Sequence, residues 1–194
     1  MPTTPFVLRT ASLGVFGALM MSACAPSDET AADNATDNAA GDSALLADAP
    51  ESTSTDIDIS NIPEGIVAAA EAKVPGMVIA EVEKKEREGM VFFDVEGTRP
   101  DGSEVELDML QEDDGNFRVV EVQRDIAWDD VPANARSAAE AVDGMFAPER
   151  VIESVQNDGT VIYELFAPGK TDAPSAEISV KDGEAKMLTE RWEY

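Results

Sequence analysis

Apolar and polar residues alternate with period two through Val91-Phe-Phe-Asp-Val-Glu-Gly97 and again through Glu104-Val-Glu-Leu107, on either side of Arg99-Pro-Asp-Gly-Ser103. Alternation flanking a Pro/Gly turn predicts a β-hairpin. A second hairpin is predicted where Val161-Ile-Tyr-Glu-Leu165 and Ala176-Glu-Ile-Ser-Val180 flank a turn through Pro168-Gly-Lys-Thr-Asp172. Ahead of the first hairpin, Ile62, Ile66, Ala69, Ala70 and Val74 recur at helical spacing. Asn61 is the expected N-cap, Pro63 suits the first turn, and Pro75-Gly76 stops the helix. Strands are expected at Val78, Ala80 and Val82, through both arms of the hairpin, and over residues 117–122 after Asp113-Asp-Gly115.

The same order returns downstream. Val131, Ala135, Ala138, Ala139 and Val142 form a second helical stripe, with Asp129 or Asp130 as the expected cap and Gly144 as the stop. Strands follow over residues 151–156, 160–166, 176–180 and 185–192. Matching positions lie 69 to 71 residues apart (62 and 131, 91 and 161, 105 and 176), and the differences fall in loops, as a tandem duplication predicts. The expected fold class is α+β: two tandem repeats, residues 61–126 and 127–194, each one helix packed on a roughly four-stranded antiparallel sheet. The two sheets have the option of joining edge to edge. Phe93 and Tyr163 occupy matching positions and are the expected centres of the two cores.

Ile62-Pro-x-x-Ile66, Val74-Pro-Gly76, Phe93-Asp-Val-Glu96 and Asp101-Gly-x-Glu-Val-Glu-Leu107 together resemble the PepSY-like domain of bacterial envelope proteins, over about residues 61–194. That family is related in fold to the β-lactamase-inhibitor proteins, which are tandem helix-plus-sheet repeats. The resemblance implies a module that binds a protein through its open sheet face and restrains a hydrolase.

Charge narrows the chemistry. The chain of 194 residues carries a net charge of −26, which disfavours nucleic acid and anionic membrane surfaces and favours a basic protein, a basic peptide or cations. It has no histidine, which removes the usual general base near neutral pH and the commonest transition-metal ligand. Its one cysteine, Cys24, forms no intramolecular disulfide and no thiolate cluster. No catalytic residue, cofactor or metal site is expected. Asp113-Asp-Gly-Asn116 and Asn157-Asp-Gly159 lack the spacing of a calcium loop and read first as turns.

The beginning of the chain reads as an address. Arg9 precedes an uncharged run, Leu13 to Met21, too short to span a bilayer. Met21-Ser-Ala-Cys24 resembles the lipobox of bacterial lipoproteins, with Met21 where leucine is usual. Residues 1–23 are therefore an expected signal peptide and Cys24 an expected lipidation site. The implied location is the cell envelope, at the periplasmic face of the outer membrane, with the lipid as the only membrane contact. Residues 24–60 are rich in Ala, Asp, Asn, Ser and Thr and are expected to form a disordered tether, with Ile57-Asp-Ile59 available as an edge contact.

Period two assigns Val82, Phe93, Val95, Val105, Leu107 and Met109 to the helix side. The opposite face then carries Phe92, Asp94, Glu104 and Glu106, and Ile162, Glu164 and Phe166 in the second half. These are the expected partner-binding residues, apolar anchors in an acidic rim. The expected function is a tethered envelope module engaging a protein or basic peptide. The alternative is an acidic cation-binding or envelope-sensing lipoprotein.

Overall fold

Nine strands follow one another in chain order across a single antiparallel sheet. They are β1 (Thr53–Asp56), β2 (Val78–Arg87), β3 (Met90–Thr98), β4 (Glu104–Gln111), β5 (Phe117–Ile126), β6 (Arg150–Gln156), β7 (Val161–Phe166), β8 (Ala176–Lys181) and β9 (Glu184–Met187). Helix α1 (Glu64–Lys73) lies between β1 and β2, and α2 (Ala133–Glu140) between β5 and β6. This computed structural model describes Leu46 and residues 53–192. Among these residues no helix is long and apolar enough to cross a membrane. The expected signal peptide and Cys24 lie outside the described residues.

Two tandem units, each a helix on its own four-stranded sheet, are not what forms. The sheet is continuous through the middle of the chain, because β5 pairs with β6 from Glu121↔Gln156 to Ile126↔Val151. Arg124 and Glu153 face each other across that junction and are joined by a 2.5 Å hydrogen bond from Nε to Oε2. A backbone ladder of six residue pairs leaves no free edge at which two sheets could end.

The start of the folded region also differs from expectation. Thr53–Asp56, inside the expected tether, pairs along residues 83–86 of β2. All four of its side chains are exposed, so backbone hydrogen bonds alone hold it and no apolar alternation announces it. The Ile57 N–H then donates to the Val82 carbonyl at 2.8 Å, and the Ile57 side chain packs on the first core.

Both helices start without a side-chain cap. Pro63 and Pro132 occupy the N-cap positions, each just after a 3-10 turn (Ile59–Asn61 and Trp128–Asp130). Asn61, Asp129 and Asp130 belong to those turns rather than capping the helices. The fixed φ of proline, together with the preceding turn, sets the direction of each helix instead.

Two apolar clusters fill the helix side of the sheet. Ile66 and Ala70 of α1 meet Val82, Phe93, Val95, Val105, Leu107 and Met109. Ala135 and Ala139 of α2 meet Val131, Val151, Tyr163, Leu165, Ala176 and Ile178. Phe93 stands edge-on to Phe117, with ring centroids 5.3 Å apart and planes at 78°. Gly65 makes room for this pair, since a Cβ there would lie 2.7 Å from the Phe117 ring.

The β2–β3 hairpin turns through Glu88 (φ 52°) and Gly89 (φ 82°), both left-handed. Glutamate at such a position is strained, whereas asparagine tolerates it. Glu88→Asn should therefore stabilise the protein by about 0.5–1 kcal/mol, read from urea denaturation midpoints. An unchanged or lowered midpoint would contradict this account of the turn.

Candidate functional site: an acidic face that curls inward

The face opposite the helices is polar, and its residues are placed by strand register. Glu83, Asp94, Asp108, Glu121 and Gln156 stand side by side across β2 to β6. The neighbouring row runs Glu81, Glu96, Glu106, Gln123, Ser154, Ile162 and Ser179 across β2 to β8. Asp125, Ile152, Glu164 and Glu177 form a third row across β5 to β8. On a flat sheet Glu106 and Glu164, three strands apart, would be separated by about 14 Å. Asp94, Glu121, Ser154, Gln156, Ile162 and Glu177 are nevertheless buried on this face, although both helices pack on the other, so the sheet curls and this face is concave.

That curl overturns the expectation of exposed anchors. Phe92 retains 8 % of its accessible surface, Phe166 4 % and Ile162 1 %. The guanidinium of Arg87 lies 5.3 Å over the Phe92 ring and that of Arg150 lies 5.0 Å over Phe166, so each aromatic is roofed by a cation. Ile162 is buried between Ser154 and Ser179 on the neighbouring strands. These three apolar residues are covered and offer almost no surface to a partner. Asp94 is buried, Glu106 and Glu164 are partly buried, and Glu104 is exposed.

Carboxyls gathered at low solvent access resist losing their protons. Burial raises Glu96 to about 7, with Glu81 and Asp94 adding repulsion. Burial likewise raises Glu164 to about 8, Glu121 and Glu177 reinforcing it while Arg150 and Arg191 oppose it. Glu106 and Asp108 are held well above the carboxylate range, first by burial and then by Asp94. Lys85 stands among them, ion-paired with Asp94. Burial works to lower its pKa, but the charge and hydrogen bond of Asp94, with Asp108 and Glu106 behind it, hold it above the usual lysine value. Asp94 itself stays raised by burial despite that ammonium.

Asp94, Glu106 and Asp108 bring one carboxylate oxygen each within 4.8 Å of one another, spacing that suits a hard divalent cation. Gln123 Nε2 donates to Asp108 Oδ2 at 3.4 Å, and Asp108 Oδ1 is buried with no hydrogen-bond partner.

Beside this cluster the face opens into a pocket of about 210 Å³. Glu81, Glu96, Glu104, Glu106 and Asp125 supply its carboxyls and Ile152 part of its apolar wall. Its two cations are already engaged, Arg150 Nε with Asp125 Oδ1 at 2.9 Å and Arg124 with Glu153. Among the described residues Glu81, Glu96, Glu104 and Glu106 form no ion pair. A small cavity with acidic walls and an apolar patch suits an ammonium or guanidinium on an alkyl stem.

Sequence reasoning picked out Glu104 and Glu106 but passed over Glu96, Glu121, Lys85, Asp125 and Arg150. Period two extended one step beyond Asp94 reaches Glu96, and β3–β4 register sets it beside Glu106. Asp125 and Arg150 meet only because β5 pairs with β6, which no local pattern encodes.

No protein-family model matches this chain, and no curated protein matches it.

Proposed function

We propose that the folded region is a non-catalytic binding module that takes a basic segment of a protein or peptide into the acidic concavity. The observation that supports it is the pocket beside Glu104: four carboxyls that form no ion pair among the described residues, on the wall of a cavity sized for one basic side chain. A partner's ammonium there replaces water around raised carboxyls and relieves their mutual repulsion. In the PepSY-like reading that partner is an envelope protein, and the module is held near it by acylation of Cys24. This face carries no histidine or cysteine among the described residues, and the use we propose for it is contact rather than bond-breaking.

Titration calorimetry of the protein with a lysine- and arginine-rich decapeptide tests the reading. Binding should weaken at least tenfold in Glu104→Gln/Glu106→Gln and fall steeply between 50 and 200 mM salt, both about the size expected of steered charge contacts. Undiminished binding by the double variant would exclude the pocket. A second reading, divalent-cation binding, is favoured by the unpartnered Asp108 Oδ1 beside Asp94 and Glu106. Calcium binding below about 1 mM with no response to the peptide would put that reading in place of the first. The anchor has its own test: Cys24→Ser should move the protein from membranes to the soluble fraction, and a variant that stays membrane-bound would remove lipidation from the proposal.

A further inference from the structure

Leu188 continues the β8–β9 ladder, and the chain beyond it turns over the acidic face, where Arg191 and Trp192 meet Glu177. Glu177 is 3 % exposed. Its carbonyl accepts from the Leu188 N–H at 2.9 Å and its Oε2 from the Trp192 N–H at 2.6 Å. Arg191 Nη1 lies 3.9 Å from Glu177 Oε1, and the arginine side chain keeps only 11 % of its accessible surface. Long cationic side chains are rarely this buried unless their charge is matched. Glu164, directly opposite Glu177 in the β7–β8 register, adds a second carboxyl.

From this geometry we infer that Glu177 and Glu164 form a guanidinium subsite, which Arg191 of the same chain occupies in place of a basic partner. The inference rests on the reading of the concavity as a site for basic segments and gives that site a spacing and a threshold. Ile152 on the pocket wall pairs with Glu164, which pairs with Glu177. The subsite is thus two strands, about 10 Å, from the Ile152 edge of the pocket, the edge nearest to it, while the unpaired carboxyls of β2 to β4 line the far side. An extended peptide covers that distance in about three residues, so the preferred ligand carries a cationic residue followed three positions later by arginine. Replacing Arg191 by the ligand's arginine exchanges one ion pair for another, and the ligand must first displace Arg191 and Trp192 from Glu177. The intramolecular arginine, present at high effective concentration, therefore lowers the apparent affinity for such ligands.

The test is calorimetry of the full chain and its Arg191→Gln variant with two capped peptides, Lys-Ala-Ala-Arg and Lys-Ala-Ala-Ala. The variant should bind the arginine peptide about five- to twentyfold more tightly than the parent, as removal of an internal competitor predicts. The two proteins should bind the alanine peptide alike. In a Trp128→Phe background, the fluorescence of Trp192 should shift when the arginine peptide binds the parent. Equal affinity of parent and variant for the arginine peptide, with Trp192 unresponsive, would reduce Arg191 to a structural ion pair and leave the pocket reading standing. Failure of both proteins to bind either peptide would overturn the pocket reading and this inference together.

Discussion

Lowering the pH from about 8.5 to about 5.5 should stabilise this protein, raising its thermal midpoint by about 5–12 °C for a gain of about 3 kcal/mol. The sign follows from carboxyls whose folded pKa exceeds the unfolded value. The folded state then binds the proton more tightly, and the resulting stability, complete below the unfolded pKa near 4.5, is lost as the pH rises through the folded pKa. Glu164 at about 8 and Glu96 at about 7 place that loss between pH 5 and 8.5, with Glu106 and Asp108 acting in the same sense. The figure is kept modest because Glu96 is only partly shielded from solvent. Asp58, Asp101 and Asp158, whose carboxylates accept hydrogen bonds at turns, act in the opposite sense and only below about pH 4. Net charge adds to the trend, since protonation relieves the repulsion in a chain at −26. Calorimetric scans at half-unit steps provide the check, and Glu164→Gln should flatten the slope between pH 6.5 and 8.5. A midpoint that falls over this window, or a slope indifferent to Glu164, would mean that these carboxyls are solvated.

Phe93→Ala should cost about 3–5 kcal/mol, the range for deleting a buried aromatic ring. The residue is buried at the centre of the first cluster, edge-on to Phe117 and beneath Ile66 and Ala70 of α1. Its loss removes the ring contact and leaves a cavity that Gly65, having no side chain, does not fill. Phe93→Leu keeps most of the volume and should lose less than half as much. Urea unfolding gives both numbers, provided the dependence on denaturant is unchanged. A loss under 1 kcal/mol in Phe93→Ala would move the centre of the core elsewhere.

How much of this was legible in the chain depended on distance along it. Period two placed seven strands near where they lie and ran the last, expected over 185–192, five residues past its end at Met187; it also set Phe93 apart from Phe92 by face, because a pleated strand sends neighbours to opposite sides. The alternation says which face and not how wet that face is. Phe92 and Phe166 read as exposed anchors because curl depends on nine strands twisting together, and because Arg87 and Arg150 reach their rings across space. The seam between β5 and β6 stood in the sequence only as an option, without a register, for a related reason. A long excursion through α2 separates the two strands, and edge pairing is a backbone property that Arg124 and Glu153 mark only after the strands have met. β1 has no apolar stripe at all, so a short Thr/Ser/Asp strand looked like linker. The helix starts were misplaced because Asn61 and the Asp129–Asp130 pair are equally good residues for the 3-10 turns that precede Pro63 and Pro132.

The β5–β6 seam also matters while the chain is being made. Synthesis delivers β5 before α2 and β6, so for some seconds a ribosome-bound chain holds residues 121–126 with their outer amides and carbonyls unmatched. An unmatched strand edge is a template for any extended neighbour. Glu121, Arg124 and Asp125 put three charges along that stretch, which discourages a second nascent chain from docking there before β6 arrives.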